Sequence, residues 1–416
     1  MKNKILPLSK QADMKNDWLQ HRLKHILPEL MQKTEIDMWI ILGREYNEDP
    51  VMESLFPAPA MNASRLTGIL FILKDDKEVD CLSLFPSISS AFTPYYQPMW
   101  DKANETQWEC INRIIKERNP KRIGINTSKN IALADGLTQY LHEELFNSIE
   151  DDIKEKIVSA QDLAIGWLEK RSQKELEIYP EINHIIHSII EEAFSGKIVK
   201  PGITTTTDVE WWMMEKVKSL GLRPWFPFDV DLQRQGEPNN RLNKAVIEPG
   251  DLLRCDVGLD YLGLKTDTQR MAYVLKPGED KIPEGIQEAM KTGNRFQDIV
   301  CENFREGRSG NEIFTASIEQ AKSENIDARL YTHPIGFHGH GAGTIIGMWD
   351  QQDILPERGH YKLYADTCYA LELNISRKVP EWDQQDVYMF LEQTVAFTQG
   401  RVDFLDGRQT EIIVIR

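Results

Sequence analysis

The sequence predicts an α+β protein in two parts: a smaller N-terminal α/β domain over residues 1–160 and a larger domain over residues 161–416. Three observations carry this. Up to about residue 160, short apolar runs alternate with amphipathic helical stretches, as in a layered α/β unit. Beyond 160 the texture changes to long helical segments, starting with ELEIYPEINHIIHSIIEEAF at 175–194. Towards the C-terminus, two long apolar strand candidates each carry a glutamate among aliphatic and aromatic residues. A chain of 416 residues is long enough for such a division.

Taken in order, Lys15 to Lys33 places Leu19, Leu23, Ile26, Leu27 and Leu30 at helical spacing, and MWIIL (38–42) follows as a buried strand. GILFIL (68–73) and VDCLSLF (79–85) read as strands joined by the polar turn DDKE. ETQWECINRIIKER (105–118) reads as a helix, RIGINTS (122–128) as a strand and ADGLTQYLHEELF (134–146) as a helix. The proline-broken PYYQPMW (94–100) is a loop whose aromatics pack. Glu45, Asp49 and Glu53 read as a charged surface, and His21, His25 and His142 as solvated or capping histidines on helices.

In the larger part, the 175–194 helix carries His184 and His187 three residues apart, a metal-compatible spacing with no carboxylate in the local pattern. Thr207 and Glu210 form a capping box before the next helix, and Gly221 stops it. Two further helices are expected at 284–305 and 311–325.

The net charge of −16, with no basic run, argues against nucleic acid or an anionic membrane as partner. No apolar stretch reaches the ~18 residues of a spanning helix. The opening MKNKILPLSKQADMKNDW has basic residues but no apolar core, so no signal peptide is expected. Five scattered cysteines without a CxxC pair read as reduced thiols, which favours a cytoplasmic location.

DLLRCDVGLDYLGLKTDTQRMAY (251–273) reads as a β-hairpin. Folded about Tyr261–Leu262, it sets Asp256 directly opposite Asp267. Two like charges so placed destabilise a sheet unless a cation lies between them or one is protonated. Downstream, LYTHPIGFHGHGAGTIIGMWD holds His333, His338 and His340 among glycines, where backbone can approach closely and imidazole can reach a transition metal. CYALELNIS places Glu372 on a strand, and VYMFLEQTVAF places Glu392 on another. Alternation turns each glutamate away from its apolar neighbours. A carboxylate among strands this apolar must be paired or bound to metal. Four carboxylates and one imidazole suit two divalent ions.

The order and spacing of GDLLRCDVGLDYLGLKTDTQR, GHGAG, ALELNI and LEQTVAF resemble the creatinase, prolidase, aminopeptidase P and methionine aminopeptidase family, the M24 metallopeptidases with the pita-bread fold. The resemblance covers about 165–416, and the first part looks like the N-terminal domain of the creatinase and prolidase branch. It implies two divalent ions (Mn, Co or Zn) on Asp256, Asp267, His340, Glu372 and Glu392, with Asp267 and Glu392 bridging. It also implies a metal-activated water attacking the scissile carbonyl of a short peptide. Glu372 would assist proton transfer, His338 and His333 would act on the substrate side, and the protein would be a homodimer.

This chain departs from the family at several points. Asn239 stands where a substrate-side histidine is usual and is expected to bind substrate there. Gly347, or Ile345 if His338 is the ligand, stands where proline-specific members carry another histidine, and Phe390 where an arginine often precedes the last glutamate. The histidine motif is stretched to HPIGFHGHG. The activity expected is that of an Xaa-Pro aminopeptidase or prolidase. The alternatives are hydrolysis of another amide or C–N bond and a binding protein on the same scaffold.

Overall fold

The computed structural model describes residues 5–85 and 91–416, so the first four residues of the basic opening stretch lie outside it. The chain divides into two compact units, residues 6–174 and 175–416. The division falls later than residue 160.

In the first unit, α1 (Leu8–His21), a π-helical turn (Arg22–Ile26) and α2 (Leu27–Thr34) lead into β1 (Met38–Arg44), α3 (Met52–Leu55), β2 (Leu66–Leu73), β3 (Val79–Ser83) and β4 (Gln97–Pro98). Then come α4 (Gln107–Arg118), β5 (Ile123–Ile125), α5 (Gln139–Ser148), α6 (Asp151–Lys154), β6 (Ile157–Ser159) and α7 (Gln161–Glu169). The strands form one sheet in the order β4-β3-β2-β1-β5-β6. Met38, Ile40 and Leu42 of β1 share a core with Ile111, Ile114 and Ile115 of α4 and Leu141 and Leu145 of α5. The helix α7 belongs to this unit because it packs on α2: a Cβ at Gly166 would meet Leu30 Cδ2 at 2.7 Å. Arg22 also donates to the Lys170 carbonyl at 2.7 Å. Asp49 departs from its expected surface position. It is 1% exposed, accepts from Val51 N–H (2.8 Å) and Asn126 Nδ2 (2.9 Å), and burial pushes its carboxyl up to about 6.

The second unit begins with α8 (Gln173–Ala193) and α9 (Thr206–Ser219), then β7 (Arg223–Pro224), β8 (Asp229–Gln233), β9 (Leu252–Val257), β10 (Leu259–Tyr261), β11 (Leu264–Lys265) and β12 (Thr268–Val274). It continues through α10 (Glu284–Asn303), α11 (Gly310–Ser323), β13 (Asp327–Pro334), β14 (Thr367–Val379), β15 (Gln385–Thr398), β16 (Arg401–Phe404) and β17 (Ile413–Ile415). The capping box of α9 is Thr205 with Asp208, not Thr207 with Glu210. Glu210 instead accepts from Val230 N–H at 3.0 Å. The large sheet runs β13-β14-β15-β12-β9-β8, with β16 on β15 and β17 on β12. Between β12 and β15 there is a single registered pair, Gln269 with Glu392. Leu371, Leu373 and Ile375 of β14 and Met389 and Leu391 of β15 enter the core shared with α10. Gly293 lets α10 approach, since a Cβ there would lie 2.9 Å from Leu391 Cδ1.

The hairpin register differs from the expected one. Its turn residues are Leu262 and Gly263, both at positive φ (59° and 83°), the backbone of a two-residue turn that matches strand twist. Asp256 therefore pairs with Gln269 rather than with Asp267. The displacement is two residues, so every side chain keeps its face. All five cysteines are free thiols. Among the described residues no helix is long and apolar enough to cross a membrane.

Candidate metal centre

Six strands each give one residue to a single row across the large sheet. Asp229 on β8 stands opposite Asp256 on β9, which stands opposite Gln269 on β12. Gln269 faces Glu392 on β15, Glu392 faces Glu372 on β14, and Glu372 faces Tyr331 on β13. Directly opposite residues share a face, so the row brings Asp256, Glu392 and Glu372 together from positions far apart in sequence.

Two residues along lies a second row. His333 on β13 faces Ala370, and Ala370 faces Thr394. The Thr394 hydroxyl accepts the Asp267 N–H (3.4 Å) and donates to the Asp267 carbonyl (3.2 Å). Asp267 precedes β12 rather than lying within it. His333 Nε2 is 3.7 Å from Asp267 Oδ2 and 3.9 Å from Glu392 Oε1.

Ligand-capable atoms converge in three groups, each within 4.8 Å: Asp256, Asp267 and Glu392; His333, Glu372 and Glu392; and Asp267, His333 and His340. The structure thus brings together all four predicted carboxylates with His340, and it places His333, expected on the substrate side, among the ligand-capable atoms of two of the groups. The glycines flanking His340 have a steric cause. A Cβ at Gly339 would lie 2.3 Å from the Trp225 ring, and one at Gly341 2.8 Å from the Pro334 carbonyl oxygen. The Trp225 and His340 rings meet edge to face at 5.4 Å.

The electrostatics are those of too many buried carboxyls. Burial pushes Asp256 up to about 6, against the pull of Arg254, and pushes Glu372 up to about 7. Asp267 and Glu392 are held well above the carboxylate range by burial and by the neighbouring acids. His333 is pushed down to about 3 by burial and the nearby His340, so its imidazole is neutral near pH 7. Burial also lowers His340.

The residues fit a divalent ion. Asp267 Oδ1, Glu392 Oε2 and His333 Nε2 are buried and lack hydrogen-bond partners among the described residues. Leaving such a group unsatisfied costs about 1–3 kcal/mol each, which ligation relieves. Donors bound to one ion at about 2.0–2.2 Å lie roughly 3–4 Å apart, which matches the His333 separations. Carboxylate oxygen with neutral imidazole suits Mn, Co or Zn.

Other expected site residues lie elsewhere. His338 falls in the loop after β13 and in none of the three groups. Asn239 is exposed, and its Oδ1 accepts the Arg241 N–H at 3.1 Å; Asn240 and Arg241 line the neighbouring cavity instead. Gly347 cannot be replaced by histidine in this backbone: its φ is +72° and a Cβ would lie 2.2 Å from the Leu330 carbonyl oxygen. Over the Phe390 ring lies the Arg254 guanidinium, at 5.2 Å, while its Nη2 is 3.2 Å from Asp256 Oδ2. The His184 and His187 pair does find a carboxylate: their Nδ1 atoms lie 3.3 and 2.7 Å from the two oxygens of Asp406, which follows β16.

Sequence reasoning missed Gln269 and Arg254. Gln269 Nε2 donates to Glu372 Oε1 at 2.8 Å, favouring the charged carboxylate. Both stand two residues from a predicted aspartate, so period-two alternation alone could have found them.

A model of metallopeptidase family M24 matches residues 177–399. Among solved structures, the chain is similar to X-Pro aminopeptidase from Thermotoga maritima MSB8, at 15% identity and TM-score 0.65, covering 93% of this chain and 99% of that one. It is similar to Xaa-Pro dipeptidase from Bacillus anthracis, at 14% identity and TM-score 0.63, covering 97% and 99%. It is also similar to the N-terminal domain of FACT complex subunit SPT16 from chickpea, at 11% identity and TM-score 0.62, covering 96% and 99%. At these identities the likeness is one of fold. No curated protein matches.

Proposed function

The chain belongs to metallopeptidase family M24 and has the pita-bread fold, and from that premise we propose that it is a dinuclear metal-dependent peptidase cleaving near the N-terminus of short peptides. The observation that supports this best is the row of opposed carboxyls, with buried oxygen and nitrogen atoms left unpartnered beside it. Asp256, Asp267, Glu372 and Glu392 would hold the ions, with His333 and His340 as the imidazole donors. When bound, two divalent ions polarise a carbonyl and lower the pKa of water towards neutrality.

The protein's own residues supply the rest. Glu372 would assist proton transfer to the departing amine, while Gln269 fixes its Oε1 from 2.8 Å. Arg254 orients Asp256. Trp225 packs on Gly339 and meets the exposed His340 ring edge to face, which helps to hold that ring in place. The physiological ion is Mn, Co or Zn, and the protein works as a cytoplasmic homodimer on small peptides.

A binding protein on the same scaffold is the second reading, supported by the fold shared with a complex subunit from chickpea. Elemental analysis after reconstitution with Mn, Co or Zn, followed by digestion of a peptide library, separates the two. Up to two ions per chain and release of N-terminal residues are expected, and Asp267→Ala should lose both ions and activity. No ion under any of the three metals would overturn the site. Bound metal without cleavage would favour the second reading.

A further inference from the structure

The edge of β12 that faces β15 is closed by three different parts of the chain. Val274 turns its N–H and carbonyl to the other edge, where they bond Asp251 (3.0 Å) and Gly250 (2.7 Å). Backbone groups alternate in direction along an extended strand, so Asp267, Gln269, Met271 and Leu275 turn theirs towards β15 and β17. The Thr394 hydroxyl bonds Asp267, and Glu392 of β15 meets Gln269. Ile415 of β17 accepts the Leu275 N–H at 3.0 Å.

Met271 falls in the gap. The registered pairing with β15 ends at Gln269, and that with β17 starts at Ala272. The Gln409 side chain takes the place of a strand there. Its Oε1 accepts the Met271 N–H at 2.8 Å, and its Nε2 donates to the Met271 carbonyl at 2.7 Å. A side-chain amide carries the donor and acceptor of a peptide group, so it completes both bonds that a paired strand would make. Gln409 is 4% exposed and lies in the irregular segment between β16 and β17.

That segment is itself held. Asp406 meets His187 of α8 at 2.7 Å, and Arg408 meets Asp298 of α10 at 2.6 Å. The Gln409 carbonyl accepts from Asn294 of α10 at 3.1 Å. The amide is therefore fixed to two helices as well as to β12. Gln269 stands roughly 7 Å away, two residues along the same strand and on the same face as Met271. Its reach to Glu372 depends on where β12 lies, and β15 fixes β12 by a single registered pair.

We propose that Gln409 is a positioning residue for the metal centre: standing in for a strand at Met271, it keeps the Gln269 amide on Glu372. Its hydrogen bonds go to Met271 and Asn294, neither of which belongs to a ligand group. It acts through β12. The inference rests on the metal centre of the peptidase reading and extends it to a segment outside the site.

The test is the affinity of the full chain for Mn, Co and Zn, measured by titration, with Tm as the control for folding. Gln409→Met keeps the length of the side chain and removes both bonds to Met271. It should weaken metal binding by about 10-fold, the low end of the cost of losing a residue that supports a ligand. Gln269→Leu should weaken it too. In that background Gln409→Met should add less than about 2-fold, because residues acting through one chain of contacts are not additive. Equal losses in the two backgrounds, or unchanged affinity in Gln409→Met, would overturn the inference. Should Gln409→Met fail to fold, Arg408→Met takes its place: it frees the segment from α10 and should cost about 2-fold alone and nothing beside Gln269→Leu.

The peptidase reading is judged separately, on peptide cleavage. Metal bound with the expected coupling but no peptide cleaved would sink that reading and leave Gln409 in its role. Cleavage with additive losses would do the reverse. A chain that takes up none of the three metals has no centre to position, and both would fall.

Discussion

Gln269 stands directly opposite both Asp256 and Glu392, so an uncharged amide occupies the middle of a row of buried and half-buried acids. Its Nε2 donates to Glu372 Oε1 at 2.8 Å, a contact that favours the ionised carboxylate against the opposing effect of burial. Gln269→Leu should therefore lower kcat/KM near pH 7 by about 10- to 100-fold, the loss of one hydrogen bond to a charged group. The acid limb of the pH–rate profile should move to higher pH. A variant with unchanged pH profile would show that Gln269 does not act through Glu372.

Stability should depend on pH and metal together. Burial raises Asp256 from 3.8 to about 6 and Glu372 from 4.5 to about 7, so the folded metal-free protein binds protons more tightly than the unfolded chain. A group raised in this way contributes stability that is fully present below its unfolded value and is lost as pH rises through its folded value. For these two groups the loss runs across pH 4 to 7. Metal should thus raise Tm more at pH 8 than at pH 5, because at pH 8 it relieves ionised carboxylates and at pH 5 it competes with protons. Thermal scans with and without chelator at both pH values decide this, and an equal metal increment at the two would refute it.

The three histidines should separate on substitution. His333→Ala should cost the most metal affinity, because its Nε2 lies between Asp267 and Glu392. His340→Ala should cost less, since that residue joins one ligand group rather than two. His338→Ala should keep its metal and lose rate alone. Metal titration and kcat, measured separately for each variant, give the order. Loss of metal in His338→Ala would require the loop after β13 to rearrange.

Selectivity for proline should be weak. Asn239 is exposed and Gly347 has no room for a side chain, so neither position supplies the imidazole that proline-specific relatives are expected to place there. A positioned hydrogen-bond donor is commonly worth about 2.7–4 kcal/mol in the transition state. Matched Xaa-Pro and Xaa-Ala peptides should therefore differ in kcat/KM by less than about 10-fold. A strong Xaa-Pro preference would show that another group, Tyr331 or Arg254, recognises the ring.

Much of the site was legible because it obeys alternation. A hairpin folded about Tyr261–Leu262 lies two residues out of the observed register, yet it keeps Asp256 and Asp267 on their face, because a strand repeats every two residues. Glu372 and Glu392 were readable for the same reason. What spacing cannot give is which strand lies beside which. That Glu392 faces Gln269 follows from sheet order, and that Arg254 reaches the ring of Phe390 follows from long-range packing. Asp49 reads as surface from local sequence because its partners, Asn126 and the close approach of Gly136, come from distant chain.

The single registered pair between β12 and β15 also bears on how the molecule is made. Asp267 and Thr394, which bond to each other beside that pair, are separated by 127 residues. Closing so long a segment is entropically unfavourable and slow, and local helices form well before it. The centre therefore comes into being only when the last long strand docks. A ribosome-bound chain that has not yet released β15 lacks Glu392, and holds the acids of the hairpin without the residue that faces them. Activity is thereby confined to chains in which β15 has been made and has docked.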